Sequence, residues 1–381
     1  MSEIRVRMIA GLAETGRDAW DAAANPAGAP FDPFLSWDFL EALERSGCVS
    51  DETGWTPRHL LAEDSAGALL GVLPLYAKYH SYGEYVFDHA WANALERAGS
   101  AYYPKLVSAI PFTPVTGRRV LAADPGVRNA LISAARHAAR ELGASSWHVL
   151  FPDKGGMDDL AASGMLARQD IQFVFDAAGY RDYEDFLSAL SSRKRKALRK
   201  ERAGAQDGVR IELLTGADLN DAHWDVFFAC YQDTGARKWG APYLNRAFFR
   251  LIHERMAGTV LMVMAWKDGR PIAAALNFIG SHTLYGRYWG CLEHHDNLHF
   301  ELCYHQAVEF AIERGLKRVE AGAQGAHKLA RGYRPQLVFS AHDLVHEGLG
   351  DAVSRYLEQE RPAVETERKA LEAETPFRKD G

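Results

Sequence analysis

Two stretches of this chain are built alike, and the likeness restricts what the rest can fold into. "RHLLAEDSAGALLGVLPLYAK" (Arg58–Lys78) reads as a strand, a polar turn at Asp64–Gly67 and a second strand. "TVLMVMAWKDGRPIAAALNFIG" (Thr259–Gly280) repeats this, with its turn at Lys267–Arg270. In each, a glycine following an acidic residue supplies the positive φ that a tight hairpin needs. The pattern predicts an amphipathic helix before each hairpin, "FLSWDFLEALERSG" and "PYLNRAFFRLIHERM". It predicts a third strand with Tyr-Gly-x-Tyr after each, at Tyr82–Tyr85 and Tyr285–Tyr288. Gly67 to Tyr82 is 15 positions and Gly269 to Tyr285 is 16. Four elements in one order imply two copies of one unit. A chain of 381 residues has room for both.

The alternation of helix-like and strand-like segments is that of an α/β (α+β) protein, each copy a mixed sheet flanked by helices. In the second copy the order is strand Val209–Leu214, helices Asp221–Asp233 and Leu244–Met256, and three strands ending near Gly290. Helix Phe300–Arg314, strand Lys317–Ala321, a helix from about His327 and strand Leu337–Leu344 follow. The seam falls near Phe175–Tyr180, which divides the chain into 1–176 and 177–381. The second part carries a basic helix at 188–203 and a closing helix at 348–374, interrupted at Pro362.

A net charge of −6 argues against a globally basic nucleic-acid binder and leaves room for a local basic patch. Cys48, Cys230, Cys291 and Cys303 form no C-x-x-C pair and read as free thiols of a reducing compartment. The N-terminus has no secretory pattern and no window reaches 18 apolar residues. A cytoplasmic protein without membrane insertion is the expectation; the oligomeric state is not legible.

Four segments could carry chemistry. Between Arg193 and Arg202, seven of ten residues are basic and only Glu201 is acidic. Arg193, Arg195, Lys196, Arg199 and Lys200 therefore suit a polyphosphate, with a solvated helix face as the bland alternative. In "CLEHHDNLHFELCYHQ", His299 and Cys303 would share a face of a helix beginning near Leu298. No zinc spacing is met, so Glu301 and His299 are candidates for a general base, unless Glu301 only complements the helix end. "VEAGAQGAHKLARGYRP" is neither a Walker A loop nor a Rossmann fingerprint. It reads as a strand, a bend at Gly322 and Gly325, and a short helix with Lys328 and Arg331 on one face. Ligands usually bind at the carboxyl end of such a strand. In "YHSYGEYVFDHAWANALERAG", Tyr82, Glu84, Asp88 and His89 lie among aromatics, followed by Pro111 and Pro114. This is either a groove wall or an aromatic core.

The second half, with its basic helix before "GVRI" and its strand, glycine turn and lysine, resembles the FemAB-like branch of GNAT-fold acyltransferases. "PFLSWDFLEALE", "HSYGEYVFDHAWA", "YYPKL", "PFTPVTG", "SSRKRKALRKER", "RYWGC" and "GAQGAHKLARGYRP" extend the resemblance over nearly the whole chain, to predicted N-acyltransferases labelled peptidoglycan-biosynthesis proteins. The resemblance implies tandem GNAT-like domains that move an acyl or aminoacyl group from aminoacyl-tRNA or acyl-CoA to an amine, with no tightly bound cofactor. It makes Lys328 the oxyanion donor. The basic residues, Arg331, Gly322 and Gly325 would hold the donor. A small-molecule or peptide amine would lie against Tyr82, Glu84, Asp88, His89 and Tyr288, between the copies. Two positions depart from the group: Ala326, commonly an acid, and Val174-Phe175, commonly His-Trp. "GCLEHHDNLHFE" lacks the Arg/Gln-x-x-Gly-x-Gly/Ala loop of coenzyme A users, which favours aminoacyl-tRNA, with tRNA a candidate partner. Two rivals stand beside this: a non-catalytic binding protein for a nucleotide-linked ligand, and a zinc enzyme using His294, His295 and His299.

Overall fold

A computed structural model describes residues 4–238, 242–322 and 325–378; Ala323 and Gln324 of the glycine bend lie outside these. Both hairpins form around their turn glycines, Gly67 at φ 83° and Gly269 at φ 74°. The chain divides into two compact units. One takes residues 1–170 and 337–366, the other 171–336 and 367–381.

The first unit contains β1 (Arg5–Ile9), α1 (Arg17–Ala24), α2 (Trp37–Arg45), β2 (Trp55–Pro57), β3 (His59–Glu63), β4 (Leu69–Leu73) and β5 (Tyr76–Lys78). Next come α3 (His89–Arg97), β6 (Lys105–Ser108), β7 (Leu121–Ala122), α4 (Pro125–Glu141), β8 (Ser146–Leu150) and α5 (Lys154–Ala162). Strands β1-β3-β4-β7 make one sheet, in that order. Strands β8-β6-β5-β2 are neighbours in another, with β6 and β8 parallel. α4 packs on β3, β4 and β8 with Val127, Leu131, Ile132, Ala135, Ala138 and Ala139, the apolar stripe of an amphipathic helix.

Strand β9 (Leu166–Asp176) starts in the first unit and ends in the second. Then come α6 (Tyr183–Ala189), α7 (Ser192–Ala205), β10 (Arg210–Leu214), α8 (Asp221–Lys238), α9 (Arg246–Met256), β11 (Val260–Lys267), β12 (Arg270–Ile279) and β13 (Thr283–Cys291). A broken helix follows: α10 (Leu298–Phe300), a π-helical turn Glu301–His305 and α11 (Gln306–Glu313). β14 (Arg318–Glu320), a 3₁₀ turn Ala326–Arg331, β15 (Arg334–Leu344) and α12 (Glu347–Ala373) close the chain. The second unit's sheet runs β10-β11-β12-β13-β14-β9. β11 and β12 are buried along nearly their whole length, as their continuous apolar runs require.

The structure revises several expectations. Tyr82–Tyr85 is not a strand. Gly83 (φ 80°) and Tyr85 (φ 61°) turn the chain, and the Lys78 ammonium holds the loop by donating to Tyr82 O. The expected basic helix 188–203 is two helices, because Leu190 is extended and Asp182 caps α6 through Asp185 N. The helix expected from His327 is a 3₁₀ turn that Gly332, at φ 87°, terminates. α12 runs unbroken through Pro362. Arg361 donates to Ala167 O and Arg168 grips Glu360 with two hydrogen bonds, so tertiary bonds hold the helix where the proline removes one of its own. The division sits at 170/171 and not at 176/177, and residues 337–366 return to the first unit.

Gly290 of β13 lies against the backbone of α8. A Cβ there would overlap the Cys230 carbonyl. Backbone cannot yield as a side chain can, so Gly290→Ala is expected to lower stability by about 1–3 kcal/mol, read from a urea melt.

Candidate functional site

β13 and β14 pair in parallel only across Thr283–Tyr285 and Arg318–Glu320. β13 then continues to Cys291, whereas β14 ends and the chain bends at Gly322 (φ 77°). The strands part, and a β-bulge sits at the parting. Leu276 faces Tyr288 and Asn277 faces Gly286, which leaves Arg287 as the extra residue. The Arg287 guanidinium is 2% exposed and 3.5 Å from the Glu320 carboxylate. Burial drives its pKa down, and Glu320 opposes the shift.

The loop after β14 brings Lys328 to this place. Gly325 adopts φ 120°, and the His327 imidazole packs where a Cβ would be. Lys328 is 1% exposed and its Nζ donates to Gly322 O at 2.7 Å. Burial, then the charge of Arg287, lowers its pKa to about 7, with Cys303 opposing. Near neutral pH the amine is thus divided between its two forms. Burial, then the charges of Arg331 and Lys328, lowers the His327 pKa, and its Nε2 lies 2.9 Å from the Tyr304 hydroxyl.

Arg331 is also buried, 3.4 Å over the Phe300 ring, and Nη1 donates to His327 O. Its Nε and Nη2 donate to both oxygens of Glu201, at 2.9 and 2.6 Å. The same carboxylate takes His305 Nε2 at 2.9 Å, and His305 Nδ1 meets the Tyr183 hydroxyl at 2.6 Å. One residue along α7, Arg202 lies over the Tyr183 ring and holds Glu301 and Glu309. Gln206 and Gln306 also donate to Glu301 Oε1. The π turn lets both Glu301 and His305 address α7, while Gln306 supports Glu301. Single π turns of this kind recur at functional sites.

Of the residues expected from sequence, Lys328, Arg331, Gly322 and Gly325 gather here. Glu301 is fully buried, its Oε1 saturated and its Oε2 without a partner among the described residues. It is shut beneath α7 rather than open to a cleft. His299 packs near Trp289, Tyr304 and His327, and the π turn removes the simple i, i+4 relation to Cys303. Tyr288 points to the other face of β13, against Tyr231 and Phe249. On α7, Arg193, Lys196, Arg199 and Lys200 are exposed and Arg195 is half-buried; Arg199 pairs with Glu184. Arg193, Arg195, Lys196 and Lys200 make no ion pair among the described residues. Among those residues no group of three His, Cys, Asp or Glu converges to hold a metal. His294, the first of the zinc candidates, pairs with Asp296 at the surface. Arg287, Glu320, His327 and His305 carried no local signal and Glu201 stood out only as the acid of a basic run, because bulge and ion pairs are tertiary.

The first unit holds a second buried polar cluster. Lys105 Nζ donates to Ser81, Glu84 and Asp88. Asp88 also accepts from the Tyr102 hydroxyl at 2.7 Å, and Tyr102 lies 3.2 Å from His148 Nε2. His148 and His342 face each other through Nδ1 atoms 2.7 Å apart, so one donates and the other accepts. Burial, then the charge of Lys105, lowers His148 to about 3, and burial holds His342 well below its ordinary value, so both are neutral near pH 7. Burial would raise Asp88, yet Lys105, His148 and Ser81 together outweigh it and hold the carboxyl well below its ordinary range. For Glu84, burial wins: its pKa rises to about 7, with Lys105 opposing and Asp88 adding to the rise. Tyr82 and His89 stay exposed.

The bulged strand, the parted parallel pair and the repeat of the arrangement define a tandem GNAT-fold protein. The chain belongs to the FemAB-like family, described as peptidoglycan biosynthesis/recognition, which matches residues 11–379. It is similar to the crystal structure of FemX, with 12% identity, TM-score 0.56, 92% of this chain and 100% of that one covered. It is also similar to the C-terminal domain of a protein assigned as a lysylphosphatidylglycerol synthetase from Agrobacterium fabrum, with 11% identity, TM-score 0.53 and coverage of 90% and 96%. L-PGS from Bacillus licheniformis shares 11% identity, TM-score 0.50 and coverage of 87% and 98%. At these identities the likeness is one of fold. No curated protein matches the chain. Among the described residues, no helix is long and apolar enough to cross a membrane.

The raised Glu84 pKa has a pH signature. Its contribution to stability is complete below the unfolded value of 4.5 and is lost as pH rises through about 7. Glu84→Gln keeps an acceptor for Lys105 but cannot ionise. It is expected to melt like the parent at pH 4.5 and at higher temperature than the parent at pH 8, read by calorimetry.

Proposed function

We propose that this protein is an N-acyltransferase that moves an aminoacyl or acyl group from an activated donor to the amine of a peptide or small acceptor. The observation that supports this most is Lys328, a buried amine poised near neutrality at the mouth of two parted strands. In the reaction the acceptor nitrogen bonds to the acyl carbon. The bond from that carbon to the ester oxygen of a charged tRNA, or to the sulfur of a thioester, breaks. The amine proton ends on the departing oxygen or sulfur.

Lys328, as ammonium, would donate to the oxyanion that forms on the acyl oxygen. Phosphates of an arriving donor raise the pKa of a nearby amine, so donor binding itself would charge this lysine. His327, kept neutral by burial and its cationic neighbours, is the base we assign. If Nε2–H donates to Tyr304, Nδ1 keeps the lone pair. Glu301, closed beneath α7, is assigned a holding role, in place of the base expected from its position in sequence. The unpaired cations Arg193, Lys196 and Lys200 on one face of α7 suit an extended polyphosphate, which favours aminoacyl-tRNA as donor. In the first unit, Glu84 and Asp88 are shut on Lys105, whereas Tyr82 and His89 are exposed. The family description favours a peptide amine of a cell-wall precursor.

The test pairs binding with turnover. Filter binding of charged tRNA over a salt series should show a steep loss of affinity. Each phosphate that a cation neutralises adds about 0.7–0.9 to the steepness of the log–log salt dependence. Arg193→Ala with Lys196→Ala and Lys200→Ala should therefore flatten that slope by about 2. Lys328→Met should cut kcat for transfer to an amine peptide with little change in KM. Tight acetyl-CoA binding without tRNA binding would replace the donor, and no transfer from either donor would overturn the enzyme reading.

A further inference from the structure

α7 has two faces with different partners. Its outer face carries Arg193, Lys196 and Lys200, and its first turn contains no acid. Basic side chains there repel one another and oppose the positive end of the helix, so the face is strained until an anion arrives. Its inner face buries Leu198 and Ala205 and presents Glu201 and Arg202. A helix of this length moves as one body. Whatever displaces or stiffens its outer face displaces or stiffens Glu201 with it.

Glu201 is the only acid in the basic run, and its carboxylate is committed elsewhere. Both oxygens hold Arg331, and one also receives His305. Arg331 is the last residue of the 3₁₀ turn that contains His327 and Lys328. It is bonded back to His327 O, while Lys328 N bonds to Gly325 O and Tyr333 N to Lys328 O. The turn is therefore a small rigid block, gripped at one end by α7 and holding Lys328 near Arg287 and Cys303. A largely buried, bidentate pair is costly to desolvate and adds little net stability compared with apolar packing, yet it fixes geometry strictly.

We infer that the Glu201–Arg331 pair couples the outer face of α7 to Lys328: a polyanion bound on the helix sets the turn that carries the lysine. Glu201 and Arg331 are positioning residues, and Arg331 is not free to take donor phosphate because its fork is filled. The inference rests on the reading of α7 as the donor helix, and it makes donor occupancy the condition for an ordered catalytic turn.

Hydrogen exchange with bulk tRNA as the probe tests it. Residues 326–333 should gain protection when tRNA is added to the parent protein. Glu201→Gln should lose that gain while binding tRNA as before, and Glu201→Asp, which keeps the charge but shortens the fork, should recover part of it. Equal gains in the parent and in Glu201→Gln would overturn the coupling. If tRNA does not bind at all, the donor reading fails by itself. The coupling is then read without ligand, from the ¹³Cε shift of Lys328, assigned with Lys328→Met. Releasing Arg331 should expose the lysine and raise its pKa by about one unit, a tenfold drop in the ratio of neutral to charged amine. An unchanged titration in a folded Glu201→Gln protein would overturn it as well.

Discussion

A buried charge needs a partner, and the second unit is organised around that requirement. Lys328 can lie beneath the surface at the end of β14 because the surrounding charges are held in opposed pairs: Arg331 on Glu201, Arg202 on Glu301 and Glu309, Arg287 beside Glu320. These pairs join α7, the π turn and the 3₁₀ turn into one frame. Among the described residues the Lys328 amine bonds to one group, the Gly322 carbonyl, so its charge is one that an arriving ligand can change.

The two units share a plan and differ at the corresponding place. In each, two parallel strands lie side by side, β6 with β8 and β13 with β14. In the first unit Ala109, just beyond β6, is buried with Leu150 and Phe151, and Ile110, Phe112 and Val115 further along are buried too. In the second unit that place holds Arg287, Glu320 and Lys328. The first unit has its own buried charges around Lys105, set one strand-end away at the loop after β5. The two halves thus share a scaffold and place different charges on it: in the first unit the buried Arg119 donates to the carbonyls of Leu150 and Val115, and in the second Arg287 lies beside Glu320.

The hairpins, their turn glycines and the amphipathic helices were legible because their causes are local: φ at Gly67 and Gly269, and the spacing of apolar residues. Lys328 and Arg331 were legible as a pair at a strand end. Glu201 was visible as the lone acid in a basic run, but its partner lies 130 positions away and nothing near it says so. Tyr82–Tyr85 misled for a related reason. It copies the spacing of Tyr285–Tyr288, yet Lys78 and Lys105 draw the loop into a turn.

By itself the sequence determined a duplicated α/β unit of the FemAB-like kind, a basic helix and a glycine-flanked lysine, since each follows from neighbours in the chain. The tertiary structure decided which of these groups meet. It shut Glu301 beneath α7, turned Tyr288 to the far face of its strand, and raised Arg287 into the parting by a bulge. It also lowered the Lys328 ammonium toward neutrality. The physical reason is common to all four: burial and pairing depend on what folds against a residue, and that information is spread over the whole chain.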